Sequence, residues 1–264
     1  MFSTEYYYLV AGLREWTLDS DTKGFDAREI VDEILAEVSK DDRRAIGLLY
    51  AYYDCENIIA CREQRGRHNP LGNLSREQVE QVLNEACYSL LPSRLAKVVE
   101  LYAEKEDEER DEEVKLDANF EHALFEAYYE ELAASKCRFL VAWGEFDRNL
   151  RNIAAALAAR EAGRQISDVV VGGGDIVEQL TRSSAADFGL RGELPYVDAV
   201  ITAVSDEKNI ALSDTFANLS FVSLNFSKAL SSYPKAITVL CSPIISSMSA
   251  VCSPRSFDWF LKSE

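Results

Sequence analysis

The amino-acid sequence predicts a mainly all-α fold of duplicated helical bundle units, with minor irregular or short strand segments, and three observations predict it. Apolar residues recur at steps of three and four over long stretches, Ser/Asp-x-x-Gln/Glu signatures open two of those stretches, and one helix signature occurs twice. The 264 residues are 47% hydrophobic and 28% charged, a globular composition able to bury a sizeable core in one large domain or two ordinary ones.

The opening stretch Tyr6 to Leu13 is apolar and aromatic without a clear period, a buried strand or a short helix, and it breaks at Leu18 to Gly24. Asp26-x-x-Glu29 is a capping-box pattern, and Ile30, Ile34, Leu35 and Val38 follow at helical spacing to about Ser39. A second helix, Asp41 to Arg65, carries the stripe Leu48, Tyr52, Cys55 and Ile59. Arg67 to Asn73 is a turn cluster. Ser75-x-x-Gln78 then opens a helix with Val79, Val82, Leu83 and Ala86 facing inward, and Pro92 ends it or starts the next.

The stripe Leu95, Val98, Val99 and Tyr102 runs into a dense acidic block, Glu104 to Glu113. That block lacks the glycine and spaced oxygen ligands of a calcium loop, so it reads as a solvated helix end or linker. It marks a boundary between an N-terminal helical unit, residues 1–115, and a central one, residues 116–208. Phe120 to Glu131 resumes an amphipathic pattern. From Lys136 the longest regular stretch places Phe139, Trp143, Phe146, Leu150, Ile153 and Leu157 at alternating steps of four and three, the spacing of a seam packed on another helix.

Val169-Val-Val171 before Gly172-Gly-Gly174 has the look of a phosphate-cradling strand and loop. No Lys-Ser/Thr follows the glycines and no G-x-G-x-x-G spacing surrounds them, which favours a turn or helix cap, with helix from Ile176 to about Thr181. The last 56 residues, 209–264, differ in composition: thirteen are serine, and only three acids and four bases fall among them. They form a separate partner-binding segment or one whose reading frame has drifted.

The net charge of −17 argues against nonspecific binding to nucleic acid or anionic lipid, both of which need clustered Lys and Arg. There is no apolar run of membrane-spanning length and no secretory signal, so the expected location is cytoplasmic, without direct membrane insertion. Cys55, Cys61, Cys87, Cys137, Cys241 and Cys252 form no C-x-x-C pair and read as small apolar residues. His68 and His122 sit in no catalytic or zinc motif, and no pair of carboxylates is singled out. Neither a catalytic site nor a cofactor is expected.

The repeated signature is Asp54-Cys-Glu-Asn57-Ile58-Ile59-Ala-Cys-Arg62-Glu-Gln-Arg65 and Asp147-Arg-Asn149-Leu150-Arg151-Asn152-Ile153-Ala-Ala-Ala-Leu157-Ala-Ala-Arg160. Aligning Asn57 with Asn152 puts Ile58 on Ile153, Arg65 on Arg160 and Asp54 opposite Asn149. Asn and Asp are poor interior helix residues, because their side chains compete for backbone hydrogen bonds, so their recurrence beside an apolar stripe needs partners. Asp147 and Arg151 can pair across one turn. Two readings stand: hydrogen bonds that fix helix packing, or an interface to another protein. The candidates are Asp54, Asn57, Arg62, Arg65, Asp147, Asn149, Arg151, Asn152 and Arg160.

These helices resemble those of the C-type stalk component of V-type and archaeal-type rotary ATPases, the eukaryotic d-type component, which carry a similar Asp-x-x-Asn-Ile/Leu run ending in Arg or Lys. The resemblance is closer to a bacterial family of unassigned function encoded among V-type ATPase subunits. It rests on Tyr6 to Leu13, Tyr53 to Ile58, Phe146 to Ile153 with Ala155 to Leu157, and Ser183 to Leu190. It implies a non-catalytic part that caps the membrane rotor ring and holds the central-stalk subunits, peripheral at the cytoplasmic face of the membrane. The other function class is a free-standing acidic helical adaptor.

Overall fold

The computed structural model of the chain describes residues 6–12, 26–108 and 113–205. The break at Leu18 to Gly24, the middle of the acidic block and the serine-rich segment after Asn209 lie outside the described residues. The fold is all-α. Its helices are α1 (Tyr7–Gly12), α2 (Ala27–Glu37), α3 (Lys40–Arg62), α4 (Arg76–Asn84), α5 (Ser93–Glu108), α6 (Glu113–Ala133), α7 (Arg138–Glu161), α8 (Asp175–Arg182) and α9 (Val197–Ser205).

The caps form where the sequence puts them. Asp26 accepts from the N–H groups of Arg28 and Glu29 at the start of α2, and Ser75 and Gln78 close a full capping box on α4. Within the opening stretch Tyr7–Gly12 is helix, and Tyr6 Oη accepts from Ser39 N at 3.0 Å; Leu13 lies outside the described residues. The short strand segments that the sequence allowed are absent among the described residues. At Val171 the reason is local: its N–H and C=O are both taken by one side chain, which leaves nothing for a β ladder.

Two other expectations are corrected. Ala86 does not face a core: α4 ends at Asn84, and Ala86 lies exposed beyond it with φ 56°. The stripe on α3 is too narrow a description. Leu48 is only half-buried, whereas an unbroken run from Leu49 to Cys55 is buried, so the helix is covered on every side in its middle. On α7 the seam holds at Phe139, Trp143, Leu150 and Ile153, but Leu157 is half-buried and the neighbouring Ala154, Ala155, Ala156 and Ala159 are buried instead.

The chain divides into two compact units that interleave along the sequence. One comprises Lys40–Asn152 and Val169–Val177; the other takes the described residues before Lys40, then Ile153–Asp168, then the described residues from Glu178 onward. In the first, α6 packs against both α3 and α5, and α4 packs against α3. Tyr50, Tyr52, Tyr53, Phe125, Tyr128 and Tyr129 form its aromatic centre, ring to ring at 5.0 to 6.1 Å. The second unit buries Val31, Ile34, Ala156, Leu180, Phe188, Leu190, Val197 and Val200. Both α7 and α8 contribute residues to each unit.

A repeat runs through the elements. Both α3 and α7 end in the same hydrogen-bonded C-terminal turn: Arg65 N donates to Ala60 O and Gln64 N to Cys61 O, as Arg164 N does to Ala159 O and Gly163 N to Arg160 O. The left-handed position is filled by Gln64 (φ 56°) in one copy and by Gly163 (φ 68°), which adopts it without strain, in the other. Each turn leads through a loop to a short helix, α4 or α8. Each short helix is followed by a left-handed residue, Ala86 or Phe188 (φ 54°), two positions before a 3-10 turn, Tyr88–Leu90 or Leu190–Gly192, and then by α5 or α9.

Gly144 of α7 is buried against α6, where an added Cβ would lie 2.9 Å from Leu132 Cδ1 and 3.0 Å from Leu132 Cβ. Gly144→Ala is expected to lower the urea midpoint, at a cost of about 1–3 kcal/mol from forced repacking. That outweighs the ~1 kcal/mol that Ala gains over Gly in helix propensity. A raised midpoint would show that these helices have room to separate.

Candidate functional site

The nine candidate residues lie on α3 and α7 or just beyond, and three of the buried ones, Asp54, Asn57 and Asn152, engage the loops that follow those helices. Asn57 is 3% exposed, and its Nδ2 donates to Asn69 O at 3.0 Å while its Oδ1 accepts from Asn69 N at 2.6 Å. One side-chain amide thus satisfies both backbone groups of one loop residue, as a neighbouring strand would. Asn69 in turn accepts from Leu71 N at 3.1 Å. One helical turn earlier, Asp54 accepts from Leu74 N at 2.9 Å and from Asn73 Nδ2 at 2.6 Å. The loop passes so close that a Cβ on Gly72 would stand 2.7 Å from Asn57 Nδ2 and 2.8 Å from Asp54 Oδ1.

The second copy repeats the clamp. Asn152 is 2% exposed; its Nδ2 donates to Val171 O at 2.9 Å and its Oδ1 accepts from Val171 N at 2.8 Å. His122 of α6 engages the adjacent Val170 carbonyl through Nε2 at 2.7 Å, so that nitrogen carries the proton. The residue at Asp54's place, Asn149, is buried and its Oδ1 has no hydrogen-bond partner among the described residues.

Arginines near the two helix ends lie over aromatic rings. The Arg62 guanidinium is 4.2 Å from the centre of the Phe120 ring, and that of Arg160 is 3.8 Å from the Phe188 ring. Arg160 also donates to the carbonyls of Ala185 (2.7 Å) and Ser183 (3.0 Å), holding Phe188 in its left-handed conformation. By the hydrogen-bonded turns that end the two helices, Arg160 corresponds to Cys61 and Arg65 to Arg164, so the two ring-stacked arginines are similar in contact and not in position. Arg65 lies exposed past the end of α3 and pairs with Glu63 at 2.6 Å.

Asp147 and Arg151 form the expected one-turn pair, with Nε 3.0 Å and 3.1 Å from the two carboxylate oxygens. Tyr129 Oη donates to Asp147 Oδ2 at 2.8 Å, and the Arg151 guanidinium lies 4.1 Å above the Tyr52 ring. Burial, and after it the Asp147 charge, pushes the Tyr128 and Tyr129 hydroxyls well above their ordinary range, which keeps both as donors. Burial also raises the Glu56 carboxyl against the pull of Arg151.

Sequence reasoning found the helix residues but missed their partners. Asn69, Gly72 and Asn73 were legible only as a turn, and Tyr129 lies 18 residues from Asp147 with no local signal linking them. Among the described residues, no group of three His, Cys, Asp or Glu is placed to hold a metal ion, and no helix is long and apolar enough to cross a membrane.

Fold and site together define an all-α protein built on a repeated unit of long helix, asparagine-clamped loop and short helix. The chain belongs to the family described as "Protein of unknown function (DUF2764)", whose model matches residues 3–228. Neither a curated protein nor a solved structure matches it.

Replacing either clamp by a carboxylate, Asn57→Asp or Asn152→Asp, removes the N–H donor and sets a negative charge against a backbone carbonyl. Each substitution is expected to cost about 2–4 kcal/mol in chemical unfolding. A change below about 0.5 kcal/mol, typical of a surface site, would show that the loops hold without the clamp.

The carboxyl of Glu121 is pushed up to about 8 by burial and then by the Glu63 charge, with Arg65 opposing. The unfolded chain releases this proton near 4.5 and the folded one retains it to about 8, so unfolding between those values releases a proton. This group's contribution to stability is complete below about 4.5 and is lost as pH rises to about 8. Glu121→Gln should flatten that part of the stability-pH curve; an unchanged slope would place the proton elsewhere.

Proposed function

We propose that the chain is a non-catalytic, C-like component of the central stalk of a V-type ATPase, docking the rotor stalk to the membrane ring in support of ATP-coupled ion transport. The observation that carries this reading is the duplicated unit. Two long helices bear an Asp/Asn-x-x-Asn-Ile run, and each holds its following loop through the same asparagine geometry. The C-type stalk component is likewise built from related helical units with such a run.

Two further features support it. The buried polar residues of the signature are largely engaged in internal bonds: Asp54, Asn57, Asp147 and Asn152 each hold a loop or a neighbouring helix. Such residues serve a rigid spacer that transmits force, where a catalytic constellation would need convergent groups open to a substrate. The net charge of −17 suits docking on a basic stalk or ring loop.

Affinity purification of a tagged copy from its native cell tests the assignment. Recovery of ring and central-stalk subunits in fixed ratio is the expected outcome. A monomer recovered without them would replace the rotor reading with that of a free-standing adaptor.

A further inference from the structure

We draw no further inference here: the strongest candidate, the apolar surface patch that Leu90 of the 3-10 turn and Leu101 of α5 leave 39% and 47% exposed, is a face for which nothing in the structure shows what covers it.

Discussion

A side-chain amide that takes both the N–H and the C=O of one loop residue is the constraint on which the rest of this structure depends. A loop that crosses a buried helix must bring its backbone polar groups out of water, and each unpaired group costs about 1–3 kcal/mol. Asn57 and Asn152 remove that cost at Asn69 and Val171 by offering an amide the same donor and acceptor that a peptide offers. Asparagine is suited to this, since a carboxylate lacks the donor and an aliphatic residue lacks both. The weak helix propensity of an interior asparagine is offset by the loop it secures.

Around each clamp the other features follow. Once Asn69 is held, the chain passes close enough to α3 that Gly72 has no room for a side chain, and Asp54 meets Leu74 just before the Ser75 cap. The second copy keeps the clamp and the left-handed residue ahead of a 3-10 turn, but spaces them differently. From clamp to left-handed helix end is seven residues in α3 and eleven in α7, a difference of about one helical turn, which keeps the lower part of the helix on nearly the same face. Relative to the first copy, the second has about one more helical turn and a shorter loop, and at its Asp54 position Asn149 Oδ1 is without a hydrogen-bond partner among the described residues.

The all-α class was legible because its signals are local. Stripes at steps of three and four, the Ser75 capping box and the Asp26 cap need no knowledge of what they pack against. The pairing of Asp147 with Arg151 was legible for the same reason, both residues lying one turn apart on one helix. The alignment of Arg65 with Arg160, counted from the clamp, does not carry to the helix ends, because α7 runs about one turn further; there the matching turns pair Arg65 with Arg164 and Cys61 with Arg160. Likewise the valines before Gly172 carry strand propensity, and only the arrival of Asn152 at Val171 decides that no ladder forms.

By itself the sequence determined the helices, their caps and the recurrence of an asparagine in two otherwise buried helices, because hydrogen bonding along the chain and amphipathic spacing are properties of neighbouring residues. Tertiary structure alone decided what those asparagines hold, which arginine covers which ring, and which polar groups remain unsatisfied at Arg148 and Asn149. The physical reason is that satisfaction of a buried polar group depends on where the rest of the chain passes. For Asn152 the partner lies 19 residues away, at the end of a loop whose path no local pattern encodes.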